Sequence, residues 1–412
     1  MLLKFGYNWL MEPDAYFHKT VSFNAWTHRL QFRTSQELFS SHDIDTGSKL
    51  LLRTIVEGGY DGMKRILDLG CGYGALGLTL KSLYPDSLVH LTDRDALAVD
   101  YARQNAVLNG LDDTQIYGSL GYDDVQRDDF NLIVTNIPGK AGENVIAGLL
   151  QEARYYLAPG GLVAIVVVSP LESLVEKVLA DTPGAAIILK RNRPGHTVFH
   201  YRFSGDHAPL KPALSALERG IYHRQKATTR LDELEYTLQT AYGLKEFDSL
   251  SYGSQMLIKA LADLRGRDFT RVVVLNPGQG HVPAALWQLL HPQKIALVDR
   301  DLLALRYSHS NLVTNGCPPE CISVFHQVGV DLKTGEQADL WLGVLREEEG
   351  KAANILTIDQ IAAQLSPDGL IILSAGSTAI TRLAADVAAQ GQLRIKSRER
   401  WRGYSLLALV LV

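Results

Sequence analysis

The stretch ILDLGCGYG, residues 66–74, constrains the fold of this 412-residue chain more than any other stretch. A short apolar run ends in three glycines at alternate positions, Gly70, Gly72 and Gly74, and a helical pattern follows from Ala75. A strand, a glycine turn and a helix in this order form the first unit of a doubly wound α/β sheet. Because glycine tolerates positive φ, such a turn lets a ligand approach the backbone closely. The pattern alone also fits a plain strand–helix connection or a dinucleotide site.

Three polar residues favour a binding loop over a plain connection. Asp68 stands two residues before the first glycine, Asp93 ends the apolar run LVHLTD, and Asn136 ends the run NLIVTN. Asp68 can meet the amino group of a ligand through the loop, and Asp93 is placed to accept both hydroxyls of a ribose. Taken together, these residues resemble the class I S-adenosylmethionine-dependent methyltransferases.

This resemblance implies the cofactor S-adenosyl-L-methionine and a place for each of its parts. Asp68 and the three loop glycines would face the methionine part, and Asp93 would face the ribose. The adenine would rest after the third strand, at Gly118, Ser119 and Leu120. A nicotinamide cofactor fits less well, because no candidate site for hydride transfer is visible.

The composition is that of an ordinary globular protein. The net charge is −4 and charged residues make up 21% of the chain, so no global positive field indicates a nucleic-acid partner. Three cysteines are too few for a disulfide scaffold, and the pair Cys317 and Cys321 has no second ligand pair, so no metal is expected. The first residues lack the apolar core of a signal peptide, and no run reaches transmembrane length, so we expect a cytoplasmic protein that does not bind a membrane.

The order of predicted elements divides the chain into four segments. These are a β-rich N-terminal extension at 1–35, a catalytic domain at 36–205, a basic helical linker at 206–235 and a second domain at 236–412. The linker carries five cations, Lys211, Arg219, Arg224, Lys226 and Arg230. A solvated face is the simpler interpretation of this charge, and contacts to phosphates are the alternative.

The second half of the chain repeats the first at a displacement of 206–208 residues. LTDRDALA aligns with LVDRDLLA, QNAVLNG with SNLVTNG, and ILDLGCGYG with VLNPGQGHV. Two units of this length indicate a tandem duplication rather than a solenoid. The predicted fold class is therefore α/β, with two tandem Rossmann-like domains, each built on a seven-stranded methyltransferase sheet.

The two copies differ where chemistry would depend on them. The loop alignment pairs Asp68 with Asn276, Leu69 with Pro277 and Gly74 with Val282. It also puts Val344 or a neighbour at the position of Asn136, whereas Asp299 remains as the counterpart of Asp93. We expect the second copy to have lost catalysis, and cofactor binding there stays open. Arg94 and Asp95, which recur in LVDRDLLA, are interpreted as surface residues.

The first copy is similar to the small-subunit ribosomal RNA guanine-N2 methyltransferases. The motifs FSSHDIDTGSKLLL, DLGCGYG, TDRD, TNIPG and LAPGG occur in this order, and the likeness covers nearly the whole chain. It implies ribosomal RNA as the partner and one active copy of two. The chain departs from the family twice: the active copy comes first, and the substrate motif Asn-Pro-Pro-aromatic is replaced by Asn136-Ile137-Pro138-Gly139.

The resemblance also indicates a role for this turn. An exocyclic base amine is a poor nucleophile, and the Asn136 oxygen with the following backbone carbonyl can accept both of its N–H groups. Pro138 would stiffen the turn, and Ile137 and Gly139 complete the substrate contact. Since the turn lacks an aromatic residue, Phe39 is the first candidate for stacking on a flipped base. The simpler alternative is that Asn136 caps its own loop.

Three functions fit these observations. The leading one is methylation of an RNA base, guanine N2 of ribosomal RNA. A protein glutamine amide or a small-molecule amine could be the acceptor instead. A non-catalytic RNA-binding or assembly protein is the third, and the intact loop, Asp93 and Asn136 argue against it. The two copies in one chain would allow the protein to work as a monomer.

Overall fold

The computed structural model describes residues 14–60, 62–204 and 211–412. The start of the predicted N-terminal extension and the first part of the predicted linker lie outside these ranges. Within them, no helix has the length and apolar character needed to cross a bilayer.

The first copy alternates strands and helices along the chain. Its elements are β1 (Lys19–Ala25), β2 (His28–Thr34), α1 (Thr46–Glu57), β3 (Arg65–Leu69), α2 (Ala75–Leu83), β4 (Leu88–Asp93), α3 (Ala96–Leu108), β5 (Gln115–Gly118), β6 (Phe130–Asn136), α4 (Glu143–Glu152), β7 (Leu157–Val168), α5 (Glu172–Ala180), β8 (Ala185–Arg193) and β9 (His196–Phe203).

Seven of these strands form one sheet in the order β5-β4-β3-β6-β7-β9-β8. The first five are parallel, and β9 and β8 close the sheet antiparallel. Central strands buried on both faces read as continuous apolar runs. In β3, Ile66 and Leu67 are fully buried, one in each of the two cores that flank the sheet. The predicted seven-stranded α/β sheet is confirmed.

The second copy repeats this order. Its elements are β10 (His223–Leu231), β11 (Leu234–Ala241), α6 (Tyr252–Ala262), β12 (Arg271–Leu275), α7 (His281–Leu290), β13 (Lys294–Asp299), α8 (Leu302–Thr314), β14 (Ile322–His326), β15 (Ala338–Val344), α9 (Gly350–Gln364), β16 (Leu365–Gly376), α10 (Ser377–Gln390), β17 (Leu393–Trp401) and β18 (Tyr404–Leu411). The sheet order β14-β13-β12-β15-β16-β18-β17 is that of the first copy, so the predicted duplication is confirmed.

Each copy begins with an antiparallel hairpin, β1–β2 in the first and β10–β11 in the second. Two asparagines, one within α3 or α8 and one at the C-cap of the same helix, hold each hairpin by accepting backbone N–H groups of its second strand. These bonds join Asn105 to Arg33, Asn109 to Gln31, Asn311 to Gln239 and Asn315 to Thr237. The prediction of a helical linker at 206–235 is therefore wrong over 223–235, because these residues belong to the hairpin of the second copy. The hairpin of the first copy is likewise part of the repeat and not a separate extension.

The two copies meet through the loops that follow β4 and β13. The Ala96 N–H donates to the Arg300 carbonyl at 2.8 Å, and the Leu302 N–H donates to the Arg94 carbonyl at 3.0 Å. Such reciprocal bonds are those of a two-fold interface between identical subunits. The Arg300 guanidinium is 9% exposed and lies 3.4 Å from a carboxylate oxygen of Asp95. Arg94 and Asp95, interpreted from the sequence as surface residues, are half-buried, with side chains 37% and 26% exposed, because their loop joins the two copies.

Candidate functional site

A cavity of about 560 Å³ opens in the first copy at the carboxyl ends of β3, β4 and β6. Its walls include the glycine loop, Asp93 and the turn that begins at Asn136. Ligands of open α/β sheets bind at this edge, where the strand order reverses. The volume is within the range of small-molecule sites. The fold thus brings three separate sequence motifs to one cavity.

The three loop glycines serve two purposes. Gly70 and Gly72 line the cavity with φ of 76° and 55°, and a Cβ at either would meet no atom within 4 Å. Their missing side chains therefore leave open room beside the cavity wall. Gly74, at φ 93°, is the N-cap of α2, and a Cβ there would lie 2.8 Å from the Leu78 side chain. Gly70 and Gly72 thus leave room for a ligand, whereas at Gly74 a side chain would collide with the first turn of α2 and touch Leu91 of β4.

Asp93 is held by two backbone donors at the wall of the cavity. The Gly72 and Asp95 N–H groups donate to its two carboxylate oxygens, each at 2.9 Å. Burial raises the pKa of Asp93 to about 6, and the nearby Asp95 carboxylate acts in the same direction. Each oxygen keeps a further lone pair, so the carboxylate can accept both hydroxyls of a ribose.

Asp68 lies behind the loop and does not line the cavity. Its carboxyl is fully buried, and one oxygen accepts the Gly77 N–H at 2.7 Å. The other oxygen has no hydrogen-bond partner among the residues that the structure describes. Burial raises the pKa of Asp68 to about 7, and the charge of Asp93 adds to this. The Asp68 carboxyl therefore contacts the first turn of α2 and does not contact the cavity directly.

The loop after β5 divides the residues predicted to hold the adenine. Ser119 and Leu120 line the cavity, and the Ser119 N–H donates to the Asp93 carbonyl at 2.9 Å. Gly118 does not line it. A Cβ on Gly118 would lie 2.6 Å from the His326 ring of the second copy. Glycine at this position makes room for the interface between the copies.

Asn136 ends β6 with its amide nitrogen engaged by two acceptors. The nitrogen lies 2.9 Å from an Asp45 carboxylate oxygen and 3.0 Å from the Ser48 hydroxyl. An ionised carboxylate can only accept, so the amide nitrogen must face Asp45. The same Asp45 carboxylate caps α1 by accepting the Ser48 N–H. Among the residues that the structure describes, none donates to the Asn136 oxygen, which is thereby available to accept a hydrogen bond.

The rest of the predicted substrate turn and Phe39 also line the cavity. Ile137 is buried and donates its N–H to the Val166 carbonyl at 3.0 Å, whereas Pro138 and Gly139 are exposed at the rim. Phe39 is 72% exposed, which is unusual for a large apolar side chain and leaves a free ring face at the rim.

The second half of the chain also reaches the rim, through residues that the sequence did not single out. Tyr242 and Gly243, directly after β11, line the cavity of the first copy. Tyr242 is 37% exposed, and the Arg94 guanidinium donates to the Gly243 carbonyl at 3.0 Å. Tyr222, just before β10, lines the cavity as well. No local pattern marks these residues, because their position depends on how the second hairpin packs against the first copy.

The structure corrects the alignment of the two glycine loops. The N-cap of α7 is Gly280, with φ 93° and ψ 15°, and it matches Gly74 of α2, with φ 93° and ψ 16°. The displacement is therefore 206, and the predicted pairing of Gly74 with Val282 is wrong. The remaining pairs at this displacement are Asp68 with Val274, Leu69 with Leu275, Gly70 with Asn276, and Gly72 with Gly278. The sequence alignment had matched Asp68 with Asn276 by chemical similarity, two residues out of register.

In the second copy the Arg346 side chain lies where the first copy has its cavity. Arg346 pairs with Asp299, the counterpart of Asp93, and its Nε donates to Asn276 at 3.0 Å. Asn276 in turn donates to the Val344 carbonyl at 2.8 Å. The cavity that these residues line measures about 30 Å³, too small for a nucleoside. The Arg346 guanidinium thus occupies the space next to Asp299.

Four of the five linker cations are paired within the chain. The pairs are Lys211–Asp128, Arg219–Glu152, Arg224–Asp248 and Arg230–Glu235. An internally paired cation has less charge to offer a phosphate, so the linker is a weaker candidate for RNA contacts than the sequence indicated.

The fold and the site together define a class I S-adenosylmethionine-dependent methyltransferase. A family model described as the methyltransferase small domain matches residues 29–194, which is the first copy. The protein YbxB of Bacillus subtilis is 34% identical over 149 residues, which are 35% of this chain and 73% of that protein. The chain belongs to the methyltransferase small-domain family.

Other relatives are named for ribosomal RNA. Ribosomal RNA large subunit methyltransferase G of Shewanella amazonensis is 32% identical over 34% of this chain, and small subunit methyltransferase C of Hahella chejuensis is 36% identical over 33%. The chain spans 37% and 40% of their lengths. The solved T. thermophilus 16S rRNA N2 methyltransferase RsmC, in complex with AdoMet and guanosine, covers 97% of this chain and 99% of its own, with a TM-score of 0.66 and 19% identity. That likeness shows the tandem fold.

Proposed function

We propose that the first copy methylates an exocyclic amine of an RNA base, guanine N2 of ribosomal RNA. The observation that carries this proposal is Asn136, whose amide nitrogen is bound by Asp45 and Ser48 so that its oxygen is free in the cavity of the glycine loop. The names of the relatives support ribosomal RNA as the acceptor.

The turn after β6 supplies acceptors for the amine. The lone pair of a base amine is shared with the ring, and acceptors on both N–H groups localise it. The Asn136 oxygen is one acceptor, and the Ile137 carbonyl, which no described N–H engages, is the second. The Pro138 carbonyl accepts the Ala141 N–H at 3.1 Å, so the turn is closed and rigid. Fixing the amine in this way supplies the positioning that dominates such reactions.

The residues present fit the cofactor. Bound S-adenosylmethionine supplies an electrophilic methyl group. The open cradle at Gly70 and Gly72 would hold its methionine part, and Asp93 would hold its ribose through the free lone pairs of a carboxylate fixed by two N–H groups. Asp68 would act through the loop, and Ser119 lies next to Asp93 where the adenine would follow.

Two aromatic side chains at the rim could stack on a flipped base, a role for which the turn itself has no aromatic residue. Phe39 comes from the loop before α1 and Tyr242 from the second copy, and both line the same cavity. Aromatic stacking of a flipped base contributes about 1–3 kcal/mol per base. We infer that Phe39, whose ring is the more exposed, is the main stacking surface.

Transfer of a labelled methyl group to ribosomal RNA transcribed in vitro, followed by nucleoside analysis, tests the proposal. We expect N2-methylguanosine, and a loss of at least 100-fold in turnover for Asn136→Ala, with cofactor affinity changed less than threefold, because proximity effects of this size depend on one positioning group. Val344→Ala, at the equivalent position of the second copy, should keep the activity. The proposal that RNA is the acceptor would be refuted if the RNA remained unmodified, whether the labelled methyl group went to protein or to no macromolecule.

A further inference from the structure

The outermost strand of the second sheet, β17, carries positive charge without matching acids. Cations stand at four of its positions and in the turn that follows, against one acid, Glu399; the cations are Arg394, Lys396, Arg398, Arg400 and Arg402. All five are exposed. None forms an ion pair with a carboxylate in the part of the chain that the structure describes, although carboxylates pair with many other cations there. These cations define the β17 patch, which extends around the edge of the sheet because the register against β18 puts Arg394 on one face and Arg398 and Arg400 on the other.

The corresponding strand of the first copy provides an internal comparison. β8 is also an outer edge strand with one register shift, and it also carries cations. There, however, Lys190 lies 2.6 Å from both Glu172 and Glu176, and Arg191 pairs with Glu57. Charged residues on an edge strand prevent pairing with other sheets, and both strands meet that need. Protection of the edge therefore does not account for the absence of acids around β17.

The elements packed beside β17 leave its charge unscreened. β18 has no charged residue. On α10 the charged residues are Arg382 and Asp386, and Asp386 is already paired with Lys351 at 2.7 Å. At the end of the strand, Trp401 is 41% exposed and packs edge-on against Tyr252 with ring centroids 4.9 Å apart. The Arg402 guanidinium lies 5.4 Å from the centre of the Trp401 ring, and cations beside an exposed aromatic ring are typical of surfaces that bind nucleic acid.

We propose that the β17 patch binds the phosphate backbone of the RNA substrate, away from the methylated base. This inference rests on the proposed function. Six strand spacings separate β17 from β14, the strand whose end meets the first copy, or roughly 30 Å at the usual spacing. An RNA that contacts both the patch and the cavity must therefore be extended or folded over that length. In this arrangement the second copy, whose own site is filled by Arg346, holds the RNA while the first copy modifies it.

The test compares two full-length double variants of equal charge, Arg394→Gln/Lys396→Gln on β17 and Lys190→Gln/Arg191→Gln on β8. Their affinity for ribosomal RNA transcribed in vitro is measured between 50 and 300 mM salt, with thermal unfolding as the folding control. Each lost phosphate contact lowers the slope of log affinity against log salt by about 1. We expect a slope smaller by about 2 and an affinity loss of roughly tenfold or more for the β17 variant only.

A variant of opposite sign makes the test stricter. Glu399→Gln removes the acid of the patch and should strengthen RNA binding severalfold. Equal losses in the two double variants, or an unchanged slope for the β17 variant, would overturn the proposal, as would a wild-type protein that does not bind RNA. Methyl transfer to a short guanine-containing oligonucleotide should be the same in all variants. If no methyl group is transferred to RNA, but the salt dependence of RNA binding changes only in the β17 variant, the proposed function is refuted. The proposal that the β17 patch binds RNA would then still hold.

Discussion

At the scale of single residues, the partners of a side chain separate a functional residue from a structural one. An asparagine that merely ends a strand would bond within its own loop. Asn136 instead bonds Asp45 and Ser48, about ninety residues earlier in the chain, and keeps its oxygen free. Its counterpart Val344 can do none of this, and its carbonyl serves Asn276. The difference between these two residues agrees with one catalytic copy.

The raised pKa of Asp93 predicts a pH dependence of cofactor binding. Burial raises this pKa from 3.8 to about 6, so the carboxyl takes up a proton below about pH 6 and then loses acceptor capacity for a ribose. The affinity for S-adenosylmethionine should be constant above pH 7 and should fall toward tenfold per pH unit below pH 6. Calorimetric titration from pH 5 to 8 measures this.

Asp93→Asn is the control for that titration. It should bind the cofactor weakly and without a change near pH 6. A wild-type affinity that stays constant down to pH 5 would contradict the role of Asp93.

At the scale of elements, the two glycine loops have kept one geometry while their function has diverged. Gly72 and Gly278 have φ of 55° and 56°, and a Cβ on either would meet no atom within 4 Å. Only Gly72 borders a cavity large enough for a nucleoside. The backbone geometry that the two loops share thus reflects the strand–turn–helix unit itself. Whether a loop can bind a nucleoside depends on the space beside it.

This pair of glycines predicts a selective loss. Gly72→Ala and Gly278→Ala should each cost about 1–2 kcal/mol of folding stability, since both residues are in the left-handed region. Only Gly72→Ala should weaken binding of S-adenosylmethionine, by at least tenfold, because its methyl group enters the cradle. Thermal unfolding and calorimetry measure the two effects. An equal loss of binding in both variants would mean that general destabilisation is the cause.

At the scale of the whole molecule, the duplication has produced an internal two-fold pair with unequal members. His326 Nε2 lies 2.9 Å from the carbonyls of both Arg94 and Arg300, and Gly118 on the opposite side leaves room for its ring. The His326 ring therefore bridges the two loops that join the copies. The second copy also supplies Tyr242 to the rim of the first, so the wall of this cavity is built from both copies.

The filled second site predicts one molecule of S-adenosylmethionine per chain. Arg346 neutralises Asp299 and occupies the space that a cofactor would need. Calorimetry should give a stoichiometry of one, and Asp93→Ala should abolish it. Asn276→Gly, which restores a glycine at the position of Gly70, should leave one site because Arg346 remains. A second site in the wild-type protein would show that Arg346 can be displaced.

The sequence by itself determined the fold class, the duplication and the three motifs that meet at the cavity. The glycine loop, the apolar strands and the polar residues at their ends are local patterns, and local patterns follow from backbone geometry and burial. Asp93 and Asn136 could be found in this way because each ends a strand, and the carboxyl ends of parallel strands meet at one edge of the sheet.

Only the tertiary structure decided what depends on residues far apart in the chain. Four features join separate segments: the pairing of Arg346 with Asp299, the place of Tyr242 at the rim, the internal pairing of the linker cations and the contact of Asp95 with Arg300. The alignment of the two glycine loops also depended on the tertiary structure, because the N-caps of α2 and α7 show which glycines correspond. Such contacts result from the packing of whole elements, which no short stretch of sequence encodes.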